Sequence, residues 1–103
     1  MKSQIEGMKL RLDILETEIK DYRETLNSLS NQISSSKREV EFMESQLKMG
    51  YGNEFSYKSE IQNHNLLVEK YNSTRSMHNT KINEYNTLLK ETNEAINRYN
   101  NGY

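Results

Sequence analysis

Lys48-Met49-Gly50-Tyr51-Gly52-Asn53-Glu54 is the stretch that decides the fold, because the sequence on either side of it reads as uninterrupted helix. Two glycines within three residues cost about 2 kcal/mol inside a helix, since glycine has the most backbone freedom to lose. Gly50, directly after Lys48-Met49, is placed as a C-terminal cap, where the backbone must turn left-handed. Asn53 or Ser56 can then accept hydrogen bonds from the first amides of a following helix. One observation opposes a break: Leu47, Glu54 and Ile61 are each seven apart, so the seven-residue frame runs through the segment. A continuous helix of roughly 100 residues, about 150 Å long at ~1.5 Å per residue, would explain that continuity. It would also put Gly50 and Glu54 at consecutive core positions, where neither packs. The segment therefore predicts an all-α fold, a long antiparallel helical hairpin of coiled-coil type. Its helices cover about 3–49 and 56–100, with a turn at about 50–55, in a single domain. The alternative is one continuous ~100-residue helix in a parallel coiled coil.

Working outward toward the N-terminus, steps of seven from Ile5 give Ile5, Leu12, Ile19, Leu26, Ile33, Val40 and Leu47. The companion series, three residues later, is Met8, Leu15, Tyr22, Leu29, Ser36 and Met43, with Ser36 the soft spot. A repeat of three and four sustained over six heptads is the signature of a helix laid against another helix. Glu16 with Lys20 and Glu44 with Lys48 add i,i+4 support on the outside, about 0.3 kcal/mol each.

Toward the C-terminus the same beat is marked by Asn65, Asn72, Asn79, Asn86, Asn93 and Asn100. The residue before each is His64, Tyr71, His78, Tyr85, Thr92 and Tyr99, and a second series runs Ile61, Val68, Arg75, Ile82, Leu89 and Ile96. The helix–helix interface is accordingly expected at Ile61, Val68, Tyr71, Ile82, Tyr85, Leu89, Ile96 and Tyr99 from this arm. The first arm contributes the series above, and the turn is placed at Gly50, Gly52 and Asn53. If the loop is centred near Gly52, Leu47 faces Tyr57, Met43 faces Ile61, Ser36 faces Val68, Leu15 faces Leu89 and Met8 faces Ile96. Leu10, Ile14, Phe42, Leu66, Leu67, Met77 and Leu88 are then left off the seam, and a second hairpin or another partner is needed to cover them.

The composition agrees. At 33% hydrophobic and 28% charged, with a mean hydropathy of -1.02, the chain is too polar for a deep core but suits helices that bury a narrow stripe. Proline, which disrupts helix interiors by ~3 kcal/mol, is absent. So is cysteine, which excludes a disulfide framework and thiolate metal sites. No apolar run approaches the ~20 residues of a membrane span, and MKSQIEGMKLRLD carries too much charge for a signal peptide. The expected location is cytoplasmic. The alternatives are export without a cleavable signal, or a fragment of a larger envelope or phage protein.

Residues that could carry chemistry read more simply as packing. Glu60 and His64 are spaced to offer two metal ligands, but nothing nearby completes a set, and Arg75 and Lys81 flank His78. Seam histidines are the expectation, with a pH-sensitive seam as the sharper alternative. Tyr57, Tyr71, Tyr85 and Tyr99 stand fourteen apart, yet residues 50–103 hold six basic and six acidic side chains, so no electrostatic funnel for nucleic acid accompanies them. There is no nucleophile, base and carboxylate in a credible context and no phosphate loop, so neither an enzyme nor a cofactor is expected.

The IxxYN repeats at 82–86 and 96–100 resemble tyrosine- and asparagine-rich coiled-coil stretches of bacterial envelope and phage-like proteins. The length, the central glycine turn and the lack of cysteine resemble the WxG family of small type VII-secreted helical hairpins. That resemblance implies pairing into four-helix bundles. The chain departs from the family motif: it has no Trp, and Tyr51 and Gly52 are adjacent where the motif has a spacer. The functional expectation is a structural or assembly element mediating protein–protein interaction or oligomerisation. Its partner is another copy, a dimer being favoured, or a helical protein. The alternative is a small hairpin chaperone or WxG-like secreted effector that grips a partner.

Overall fold

In a computed structural model, which describes residues 2–102, the chain forms two helices, α1 (Lys2–Lys48) and α2 (Glu54–Asn100). They pack against each other as a helical hairpin. The continuous-helix alternative is thereby excluded.

The break is built as the glycines dictate. Gly50 adopts φ +85°, and its amide donates to the Leu47 carbonyl at 3.0 Å while the Tyr51 amide donates to the Gln46 carbonyl at 2.8 Å. This pair of bonds, one three residues back and one five residues back, is the Schellman closure that satisfies the last carbonyls of a helix. Gly52 follows at φ +95°, and a Cβ there would lie 3.3 Å from the Cβ of Gln46. The loop thus lies flat on the last turn of α1. Asn53 then caps α2, its Oδ1 accepting from the amides of Phe55 at 2.8 Å and Ser56 at 3.2 Å. Because Asn53 rather than Ser56 takes that role, α2 starts at Glu54, earlier than the expected 56.

The contacts divide the chain into two units: a terminal unit, Met1–Arg23 with Ser76–Tyr103, and a turn unit, Glu24–Arg75. In the terminal unit Leu15 and Thr92 are the most enclosed side chains, at 1% and 2% exposure, with Ile5, Leu12 and Ala95 also buried. The Thr92 hydroxyl is satisfied locally, donating to the Leu88 carbonyl at 2.7 Å. In the turn unit the buried residues are Leu29, Ser36 and Leu67.

Along α1 every position of the expected series, from Ile5 and Met8 to Met43 and Leu47, is buried or half-buried. Along α2 the frame is corrected by one residue. Tyr57, His64, Tyr71, His78 and Tyr85 do turn inward, but their companions are Glu60, Leu67, Thr74, Lys81, Leu88 and Ala95, all buried or half-buried. Of the expected companions, Ile61, Val68, Ile82 and Ile96 are half-buried like many of the corrected series, whereas Arg75 and Leu89 are exposed, and Tyr99 is 50% exposed.

Across the seam the Ser36 hydroxyl donates to the Glu60 carboxylate at 2.8 Å, and Ser36 shares a groove with Glu60, Asn63 and Leu67 rather than with Val68, the residue expected opposite it. In the terminal unit Ile19 shares a groove with Ile82 and Tyr85, and Leu15 shares one with Leu88.

Candidate interaction surface

Two of the polar residues that the rotated frame brings inward, Glu60 and Lys81, have partners on α1. In the turn unit, Glu60 is held by Ser36 and by the Asn63 side-chain amide, 3.3 Å from the same carboxylate oxygen. Ser36 is small, and its 5% exposure shows how closely α2 approaches at that level. In the terminal unit, Lys81 reaches Glu18 at 2.7 Å and Glu84 at 3.9 Å, while Arg11 reaches Glu18 at 3.7 Å and Glu84 at 3.6 Å. Two acids and two bases close a network on one flank of that unit. The hydrogen bond from Lys81, more than any other influence, holds the Glu18 carboxyl below its ordinary range and in turn raises the Lys81 ammonium.

The other flank of the terminal unit is different. Asp13, Glu16, Lys20 and Arg23 line a groove of about 770 Å³ whose floor is Ile19, Ile82 and Tyr85. All four charged side chains are exposed, and none has an ion-pair partner among the described residues: of the two i,i+4 pairs expected on α1, Glu44 with Lys48 forms at 3.2 Å and Glu16 with Lys20 does not.

The remaining feature is apolar surface that the pairing of α1 with α2 leaves uncovered. Leu10 is 62% exposed, Phe42 58%, Leu66 56% and Met77 52%. Around the turn, Met49, Tyr51 and Phe55 are more open still, Phe55 reaching 78%. Leu67 and Leu88, expected outside, are inside.

The histidines lie in different units, His64 in one and His78 in the other, and do not form a common site. His64 Nδ1 and His78 Nε2 are each enclosed with no hydrogen-bond partner among the described residues. Glu60, spaced to join His64, is engaged by Ser36 and Asn63 instead. Among the described residues, no group of three or more His, Asp or Glu could hold a metal ion. No described helix is long and apolar enough to cross a membrane.

The one-residue error in the α2 frame had a readable signal. Both helices end at a glycine followed by tyrosine, Gly50-Tyr51 and Gly102-Tyr103, and Gly102 has φ +76° with its amide donating to the Tyr99 carbonyl at 3.2 Å. Superposing the two sequences on these glycines lays Glu60 on Met8, Leu67 on Leu15, Leu88 on Ser36 and Ala95 on Met43. That is the inward series the structure adopts. The chain matches no known family model, no curated protein and no solved structure.

Proposed function

We propose that the chain is an assembly element, a helical hairpin that acts by binding other helices and, first of all, another copy of itself. The observation that carries this reading is the set of large apolar side chains that the hairpin leaves outside its own seam, Leu10, Phe42, Leu66 and Met77 foremost. Scattered single apolar residues are ordinary on a protein surface, but on a chain only 33% hydrophobic they are a large share of the aliphatic and aromatic inventory. The area supports the same reading. The chain exposes 7636 Å², roughly 1,500 Å² more than a compact monomer of its mass. A stable interface takes about 800 Å² from each partner. The formal charge of -1 leaves little net repulsion between copies.

Sedimentation or light scattering over a concentration series tests this. A mass of twice the chain or more, falling to one chain on dilution, is the expected result. A monomer at every concentration, with full helicity, would sink self-assembly.

A second reading, capture of a foreign protein helix, is favoured by the exposure of Met49, Tyr51 and Phe55 around the turn. It predicts that replacing these three by Ser leaves the solution mass untouched.

A further inference from the structure

Two flanks of the terminal unit carry similar numbers of charges and treat them differently. On one flank Arg11, Glu18, Lys81 and Glu84 neutralise each other within the chain. On the other, Asp13, Glu16, Lys20 and Arg23 stand unpaired along a groove floored by Ile19, Ile82 and Tyr85. An apolar floor between unpaired charges is the anatomy of an interface core with its rim.

The order of those charges names the occupant. Along α1 the two acids come first and the two bases follow. Asp13 and Arg23 are equidistant from position 18, and so are Glu16 and Lys20. A segment whose charges invert about one point is complementary to itself run backwards. Two copies related by a two-fold axis through that point would bring Glu16 against Lys20 of the second copy and Asp13 against Arg23 of the second copy. Each contact then occurs twice, as an isologous interface requires. A parallel arrangement at equal height would instead set like charges against like.

We propose that this groove is the homodimer interface, with α1 crossing α1 of the second copy antiparallel about position 18 and the two apolar floors closing on each other. The proposal rests on the self-assembly reading above and gives the first contact between copies a surface and a register of its own, in a groove that none of the exposed Leu10, Phe42, Leu66 and Met77 lines. The four charges set register and partner choice, and the floor supplies the burial.

The test is a charge exchange on the full chain. The variant D13K/E16K carries an all-basic wall and K20E/R23E an all-acidic one. All four positions are exposed, so helicity measured by circular dichroism is expected to match the unsubstituted chain. Each variant alone should dimerise at least tenfold more weakly than the unsubstituted chain by sedimentation. An equimolar mixture should pair as a heterodimer at least as tightly as the original homodimer. A single-cysteine variant T17C, in a chain without other cysteines, should give a disulfide-linked dimer on mild oxidation.

If the unsubstituted chain self-associates and both variants do so equally well, this interface is wrong while self-assembly stands. If the unsubstituted chain is monomeric throughout, both fall, and the groove belongs to a different occupant. If each variant is weakened but the mixture fails to pair, the four charges do not face one another across the interface and the proposal is overturned.

Discussion

Lys81 Nζ lies 2.7 Å from Glu18 Oε2, joining the two helices of the terminal unit by a charge-assisted hydrogen bond. The pair has a defined pH window. Glu18 titrates below its ordinary value of 4.5 in the folded chain. Its contribution is therefore present above that value and lost as pH falls through the lower folded one. Lys81 titrates above its ordinary 10.5, so its contribution is present below that value and lost as pH rises through the raised one. The substitution E18Q should lower the melting temperature at pH 7, and the gap should close as pH falls through the lowered folded value of Glu18. The gap should also narrow in 1 M salt, because both side chains are partly exposed. A gap that stays constant as pH is lowered until the chain unfolds would show that the effect comes from packing of the side-chain stems instead.

Leu88 and Leu89 are adjacent leucines on opposite sides of the corrected frame. Leu88 is half-buried, whereas Leu89 is 37% exposed. Under conditions where the chain is monomeric, Leu88→Ala should cost about 2 kcal/mol in a denaturant titration and Leu89→Ala well under 1. Leu15→Ala, at 1% exposure, sets the upper end at roughly 3–4 kcal/mol. Equal losses at 88 and 89 would restore the frame that the aliphatic series suggested.

The contrast between the arms explains what could be read from the sequence. In α1 the aliphatic positions coincide with the inward ones, so Ile5, Leu12, Leu15 and Leu29 announce the seam directly. In α2 the aliphatics Ile61, Val68, Ile82 and Ile96 share half-burial with polar neighbours, and the inward companions include Glu60, Thr74 and Lys81. Hydrophobic periodicity cannot find a seam built partly from a bonded carboxylate and a paired ammonium. Those residues are tolerated inside only because Ser36 and Glu18 meet them, and such pairings depend on a register that the sequence does not print. The turn was legible for the opposite reason: Gly50 and Asn53 act on their own neighbours within a few residues. The lie of the loop on Gln46 was not, because it depends on how closely Gly52 approaches α1.

The glycines give a graded series. Gly50 at φ +85° has nothing within 4 Å of an added Cβ, so Gly50→Ala should cost about 1 kcal/mol from backbone strain alone. Gly52→Ala adds a contact at 3.3 Å with the Gln46 Cβ to φ +95°, and should cost more than the first. Gly7 lies inside α1, also with nothing within 4 Å of an added Cβ. Gly7→Ala should therefore stabilise by roughly 0.5–1 kcal/mol through helix propensity. Thermal melts of the three single variants should rank Gly7→Ala above the unsubstituted chain, then Gly50→Ala, then Gly52→Ala.

The contact between Ser36 and Glu60 separates stability from register. Ser36 is 5% exposed and donates to the carboxylate at 2.8 Å, so Ser36→Ala leaves the carboxylate one donor short. A loss of about 1.5–3 kcal/mol is expected, typical of a hydrogen bond to a charged group. Replacing both partners by apolar residues, S36V/E60L, removes the need for the bond and should return most of that loss or exceed it. The cost should appear elsewhere. Without a polar pair at that level, only side-chain shape opposes a slip of α2 along α1, as when a lone polar core residue is removed from a coiled coil. Amide hydrogen exchange in the turn unit can report this. The double variant is expected to melt at or above the temperature of the unsubstituted chain while its protection near residues 60–67 becomes weaker or splits into two populations. A double variant that is both as stable and as uniformly protected would show that the turn and the aliphatic stripe fix the register unaided.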